Sequence, residues 1–400
     1  MIKITIVLAC ALTLLGCQEQ SNSNDAATIN TVETETNQKS QLQVIKLSGT
    51  PFEIGFQHGQ TLKKEIHDLV MLWEADIELN FKIPSKEFIT KFLKSTDYIS
   101  AIKKWTPHLY DEIRGISEGS EIELDKILVF QLVDEMWNNG GIIFEAHHCS
   151  SIGINNRKSD GDINYIAQNI DVTPFYHKYK VLLDIEDQKS NSHTFVVTVP
   201  GIIGVNGLNK AIGVNVNSLM DLKNSSDGLP VCCVVRGVLD QSTFNEAEEF
   251  LRKIKHASGQ NYIIGSKHNV ASYECSASKV EIYWPDSTKR YTYHANNALK
   301  NNSYQPSYIN QIEDSFNLTH EEYIKDVPRT AALKNRILNT ESINIEVLKE
   351  TLKSKDSETD PICNDWTWAS TIMEFHDDHN VLFISPGKPD SVDYEKFIIR

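Results

Sequence analysis

The chain has 400 residues, 40% apolar and 9% aromatic, enough to bury a large core in one generous domain or two smaller ones. Its net charge of -15 excludes a nucleic-acid backbone as partner, because that binding needs a basic surface to displace counterions, and no Lys/Arg patch or zinc-finger spacing stands against this. Nucleotide binding has no support either, since neither G-x-G-x-x-G nor a P-loop occurs.

The first residues read as a secretory signal: Lys3, an apolar core from Ile4 to Leu15, then Gly16-Cys17. That core is too short to cross a bilayer as a helix, which takes about 20 residues. The alternatives are an ordinary cleaved signal or a buried strand. Leu14-Leu15-Gly16-Cys17 resembles a bacterial lipobox, which implies cleavage before Cys17, lipid attachment to it, and a protein anchored to a bacterial membrane in the cell envelope. Each buried acyl methylene adds about 0.8 kcal/mol to such an anchor. Residues 18–43 are rich in Ser, Asn, Thr, Gln and Glu and poor in large apolar side chains, so they read as a disordered tether. Residues 44–400 form the body.

A strand is predicted at Val44 to Leu47, followed by a helix whose start is written in Thr50 as N-cap, Pro51 in the first turn and Glu53 at the capping-box position. Leu62, Ile66, Leu69 and Val70 carry its apolar face to about Asn80, and Gly55 and Gly59, one turn apart, leave room for another backbone. Further helices are predicted over 85–117, broken at Pro107, and over 124–137. After Cys149 the pattern changes to short strands: 151–154, 165–169, 180–184, 194–199, 212–216, 262–265, 271–275 and 280–284. Helices are predicted at 243–257 and 328–338, and a closing hairpin at 370–376 and 381–384. Strand runs with segregated helices indicate an α+β fold of layered, largely antiparallel sheets.

Seven cysteines occur; setting aside Cys10 and Cys17 of the signal leaves Cys149, Cys232, Cys233, Cys275 and Cys363, an odd set without regular spacing, so at least one free thiol is expected. Cys149 follows His147-His148 and begins Cys149-Ser150-Ser151 at the start of a strand. From spacing alone it is either a small buried core residue or a nucleophile presented at a sheet edge. Cys232-Cys233, inside Val231 to Val235, reads as a buried strand rather than a redox pair. His376-Asp377-Asp378-His379 reads as a hairpin turn rather than a metal site, and His147-His148 lacks the second pair a zinc site needs, so neither metal nor cofactor is expected. His58 is assigned to packing or capping.

Four blocks, in order, carry a resemblance to a known group. They are Gly49 to Gly59; Glu112 to Gly119; Cys149-Ser150-Ser151 with Gln168-Asn169-Ile170-Asp171; and Gly204 to Asn209 with Gly213 to Asn217. Pro230 to Arg236, Asn261-Tyr262 and Ile384 to Pro389 extend it. Together they resemble the acyl-coenzyme A:isopenicillin N (6-aminopenicillanic acid) acyltransferase group of autoproteolytic cysteine hydrolases.

The resemblance implies a four-layer αββα sandwich, the N-terminal-nucleophile hydrolase fold. It implies a precursor that cuts itself between His148 and Cys149, giving a helical segment 44–148 and a nucleophile-bearing segment 149–400. Cys149 becomes the nucleophile; Asp171 matches the acidic position that orients the new terminus, and Asn261 is put forward as oxyanion donor. Asn169 stands beside Asp171 as a substrate-binding candidate. Arg236 is a second one, able to reach a carboxylate or to close a structural ion pair. The implied partner is a small acyl amide or acyl thioester. The group's late active-site arginine has no counterpart in Asn364 to Thr371, before the last hairpin, which stands against a β-lactam nucleus as substrate. Rival readings are a choloylglycine- or penicillin-V-acylase-like hydrolase using the same thiol, a non-catalytic envelope lipoprotein with this fold, and an uncut cysteine hydrolase using His148 or a distant histidine as base.

Overall fold

In the computed structural model, residues 42–140, 149–155, 158–325 and 327–400 are described. The signal with Cys17, nearly all of the tether, and His147-His148 lie outside them.

Strand β1 (Gln43–Gly49) leads into helix α1 (Pro51–Thr61), whose start is the capping box read from Thr50 and Glu53. The next elements are α2 (Lys63–Phe81), α3 (Ser85–Ser95), α4 (Tyr98–Trp105), α5 (Pro107–Ser120), α6 (Leu124–Phe130) and α7 (Val133–Gly140). The three long helices expected here are thus divided further, at Leu62, at Thr96-Asp97 and at Gln131-Leu132. Gly55 and Gly59 do admit a second backbone. A Cβ on Gly55 would lie 1.9 Å from the carbonyl oxygen of Glu112, and one on Gly59 2.4 Å from that of Ile116, both on α5 and both far short of van der Waals contact. The first two blocks of the resemblance therefore meet as one close helix crossing.

Past Cys149 come β2 (Ser150–Ile154), β3 (Asn164–Asp171), β4 (Val181–Asp187), β5 (Ser192–Thr198), β6 (Asn206–Asn209) and β7 (Ile212–Ser218). Helices α8 (Val231–Leu239) and α9 (Phe244–Lys253) precede β8 (Gln260–Ser266), β9 (Val270–Cys275), β10 (Val280–Tyr283) and β11 (Tyr291–His294). Then follow α10 (Pro306–Phe316), α11 (His320–Lys325), α12 (Pro328–Leu338), α13 (Ile345–Leu352), β12 (Thr367–Phe375), β13 (Asn380–Ser385) and β14 (Glu395–Ile399). The predicted strand at Cys232-Cys233 is a helix instead. Pro230 stands at its N-cap, where a missing N–H costs nothing, and burial of nearly every side chain outweighs the β preference of its valines.

The strands form two sheets, one of eight in the order β1-β4-β5-β6-β7-β8-β9-β10 and one of six in the order β11-β2-β3-β12-β13-β14. All pairings are antiparallel except β1 with β4. Helices α1, α8 and α9 cover the outer face of the eight-stranded sheet, α12 and α13 that of the six-stranded sheet, and the two sheets pack on each other. This is the α+β, four-layer αββα arrangement. Between the sheets runs a polar layer as well as an apolar core: Gln168 on β3 donates to the Val216 carbonyl on β7, and Asn206 donates to Gln168 Oε1 (3.1 Å) and Thr371 Oγ1 (3.0 Å). Alternation along β2 sends Ile152 and Ile154 outward to the core shared with Leu333 and Ile337. Gly153 lies inward against Ile263 and Val270. Ser151 shares its side.

Candidate active site

Cys149 immediately precedes β2 and is buried, 8% exposed. Because β2 pairs with β3 in the register Ser150 to Asn169, the cysteine lies beside the end of β3, and its thiol donates to the Asp171 carbonyl oxygen at 3.8 Å. Asp171 is anchored in turn: Asn364 Nδ2 donates to its Oδ2 at 2.6 Å. On the other side, Arg329 of α12 donates from Nη1 to the Cys149 carbonyl oxygen at 2.7 Å and to Asn296 Oδ1 at 3.2 Å, while its Nε pairs with Asp360 at 2.9 Å. Burial pushes the thiol up to about 12, with the Asp171 charge adding to the shift; the hydrogen bond to the Asp171 carbonyl and the Arg329 charge oppose it. With Cys149 still an internal residue, the sulfur is held as a thiol.

Beside it is a cavity of about 140 Å³, walled by Trp137, Ile170, Tyr176, Val205 and Trp368 among others. Asp134, Asp171 and Ser218 bring polar atoms to it, and among the described residues no histidine, lysine or arginine lines it. Asp134 is fixed by Ser218 Oγ (2.6 Å) and Gln260 Nε2 (2.9 Å), both donating to Oδ2. Its neighbour Glu135 is fully buried. Glu135 Oε1 accepts from the Val231 amide (2.9 Å) and Ser258 Oγ (2.8 Å), and burial followed by the Asp134 charge pushes its carboxyl up to about 7.

Asn261 sits on β8, cross-strand from Asn217 of β7, one residue from the cavity-lining Ser218. Ser272 Oγ donates to its Oδ1 at 2.6 Å, which orients the amide so that Nδ2 donates to Asn217 Oδ1 at 3.5 Å; Asn261 is fully buried and is not among the residues that line the cavity. Asn169 is turned to other work. Its Nδ2 donates to the carbonyls of Leu352 (2.8 Å) and Ile362 (2.9 Å), stitching β3 to the outer layer that carries Asn364, and it does not line the cavity.

Of the two roles expected of Arg236, substrate binding is the one to correct: the residue closes the structural ion pair, bidentate to Glu112, Nη1 to Oε1 at 2.7 Å and Nη2 to Oε2 at 2.8 Å, and also donates to the Ile203 carbonyl. Both partners are buried. The pair joins the helical N-terminal segment to α8, and no part of Arg236 lines the cavity. Nearby, His58 is buried and accepts from the Gly201 amide at 2.9 Å; burial, then the Arg236 charge, lowers it to about 3, so it is neutral. Its assigned packing and capping role agrees with this place.

An arginine does reach Cys149, but through the backbone: Arg329 of α12 donates to its carbonyl oxygen and is not among the residues that line the cavity. Arg329 lies in a segment read correctly as a helix, but nothing in its local pattern marked it, because the contact with Cys149 spans 180 positions. Asp134, Ser218 and Asn217 were also not singled out; a carboxylate on a short helix just before the proposed cut carries no spacing signal of its own. Among the described residues, no group of three or more His, Cys, Asp or Glu is placed to hold a metal, and no helix is long and apolar enough to cross a membrane.

Compared with known families, residues 156–380 match the one described as acyl-coenzyme A:6-aminopenicillanic acid acyl-transferase. The match contains Asp171, Asn261 and Arg329 and begins just after Cys149. Over 274 residues the chain is 26% identical to the 40 kDa form of acyl-coenzyme A:6-aminopenicillanic-acid-acyltransferase of Emericella nidulans, covering 68% of this chain and 74% of that protein. An uncharacterized protein of Archaeoglobus fulgidus is 22% identical over 276 residues, 61% of this chain and 45% of its own length. Protein dcd1A of Dictyostelium discoideum is 32% identical over 110 residues, 24% of this chain and 25% of that protein.

Proposed function

Because the chain belongs to the acyl-coenzyme A:6-aminopenicillanic acid acyl-transferase family, we propose that it is a self-cleaving cysteine amidohydrolase or acyltransferase working through an acyl-enzyme on Cys149. The observation that carries the reading is the setting of that cysteine. It opens β2 at the wall of a cavity, its thiol on the Asp171 carbonyl and its own carbonyl held by Arg329.

In the first reaction the Cys149 thiol attacks the carbonyl carbon of His148. The C–N bond breaks, a thioester forms, and the Cys149 nitrogen leaves as an amine carrying the thiol proton. Water then hydrolyses the thioester, returning the thiol and leaving a carboxylate on His148. The new α-amine has an ordinary pKa of about 7.7–8.0, so it can take the proton of its own thiol near neutral pH. It supplies a base at the nucleophile itself, and among the described residues no histidine lines the cavity. The rival reading of an uncut chain turns on His148, which lies outside the described residues.

In turnover the thiolate attacks an amide or thioester carbonyl. The developing oxyanion is served by Asn261 Nδ2, whose orientation Ser272 sets. Collapse expels an amine or thiol, which receives the proton held by the terminal ammonium. Water or an acceptor amine then attacks the acyl-enzyme and regenerates the thiol. Asp171, fixed by Asn364, holds the terminus in place. The reading extends to the whole precursor: a signal ending at Cys17, lipid on that cysteine, a tether to residue 43, and a body anchored to a bacterial envelope membrane, supported by Leu14-Leu15-Gly16-Cys17. The test is a screen of N-acyl amino acids, β-lactams and acyl thioesters with intact-mass detection of an acyl adduct on the fragment beginning at Cys149. Turnover without an adduct, or an adduct elsewhere, would sink the mechanism.

A further inference from the structure

The cavity beside Cys149 has an unusual balance of walls. Among the described residues its lining is mostly apolar and aromatic, with Trp137, Tyr176 and Trp368 among it, yet its charged members are Asp134 and Asp171 and none is cationic. Asp171 is bound by Asn364 and belongs to the nucleophile. Asp134 has its Oδ2 tied to Ser218 and Gln260. Two neutral donors thus hold this carboxylate at an apolar wall.

A second, independent feature points the same way. The Tyr176 hydroxyl is buried, belongs to a residue that lines the same cavity, and has no hydrogen-bond partner among the described residues. Burial first, then the charges of Asp76 and Asp134, hold this phenol above its usual range, so both carboxylates act on the place where it lies. An orphaned buried hydroxyl costs roughly 1–3 kcal/mol, which a ligand atom would relieve. The chemical class that satisfies a carboxylate, a phenol oxygen and aromatic faces together is an ammonium group: it pairs with Asp134, donates to Tyr176, and is attracted by the electron-rich ring faces. An anionic group would meet two like charges in a site of low polarity.

We propose that this cavity selects a substrate carrying a cationic amine on a short apolar chain, with Asp134 and Tyr176 as the residues that read the charge. The assignment rests on the reading of Cys149 as nucleophile, because it makes the cavity the acyl pocket. It also gives the N-terminal segment a direct part in specificity: Gln131, Val133, Asp134 and Trp137 all precede the proposed cut and line the pocket.

The test is a binding measurement that needs no turnover. Pentylammonium, pentanol and pentanoate are titrated into the full chain, followed by tryptophan fluorescence, since Trp137 and Trp368 line the cavity. The expected order is pentylammonium tighter than pentanol by about tenfold or more, with pentanoate weakest. Asp134→Asn and, separately, Tyr176→Phe should bring pentylammonium down toward pentanol; the second variant removes one atom and guards against a folding defect in the first. Equal affinity for all three ligands, or an ammonium preference untouched by both substitutions, overturns the proposal. Acyl-adduct formation on Cys149 is read separately by mass, so loss of the adduct with the ammonium preference intact refutes the nucleophile and not the charge-reading pocket.

Discussion

Glu135 offers a quantitative check on the polar ground beneath the cavity. It is fully buried, and its carboxyl is pushed from an ordinary 4.5 up to about 7 by burial and by the Asp134 charge. A raised folded-state value means that the folded chain holds a proton the unfolded chain has already released. Stability contributed by this group is thus complete below pH 4.5 and is lost as pH rises through 7. At about 1.4 kcal/mol per pH unit, the loss amounts to roughly 3 kcal/mol. Glu135→Gln should abolish it, because a glutamine oxygen still accepts from the Val231 amide and Ser258. Urea unfolding at pH 5 and pH 8, in a Cys149→Ala background that keeps the chain in one piece, measures the effect. The glutamine variant should gain about 2.5 kcal/mol on the carboxylate form between the two pH values, most of the full effect. Parallel pH profiles for the two proteins would refute the reasoning.

Other outcomes follow from the same geometry. In the uncut chain the Cys149 thiol, held up to about 12, should resist iodoacetamide at pH 8, with roughly one molecule in ten thousand ionised, whereas the cut protein should be alkylated readily. Arg236→Met should cost about 3–5 kcal/mol in urea unfolding by leaving the Glu112 carboxylate buried and alone, while catalytic constants of the surviving folded protein stay near wild type. Gly55→Ala should prevent the α1–α5 crossing and remove soluble protein, since the added methyl meets the Glu112 carbonyl. His58 is lowered to about 3, so its contribution is present above pH 6.5 and lost as pH falls toward 3; His58→Gln should flatten that acid limb of the stability curve, by up to about 5 kcal/mol.

Local chemistry was the legible part of this sequence. The Thr50–Glu53 capping box, the Gly55–Gly59 close approach and most of the strands were readable because each depends on residues within one turn or one strand. The failures share a cause in distance. Val231 to Val235 reads as β until Pro230 and the burial of α8 against the sheet are known. Arg236 looks available until Glu112, 124 positions earlier, is brought beside it. Arg329 and Asn364 reach Cys149 and Asp171 across 180 and 193 positions, and Asn169 is spent on Leu352 and Ile362, so no window along the chain could assign them. The resemblance supplied Cys149, Asp171 and Asn261 as a set; their placement at the ends of neighbouring strands in two facing sheets is what makes them a candidate site.

The central claim is that Cys149 becomes a chain terminus by its own chemistry. Purified wild-type protein and its Cys149→Ala variant, run on a denaturing gel with N-terminal sequencing of each band, test it most directly. The account predicts a wild-type fragment running from Cys149 to Arg400 and an intact variant. An intact wild-type chain that still forms an acyl adduct, or a variant that is cut at the same bond, would contradict it.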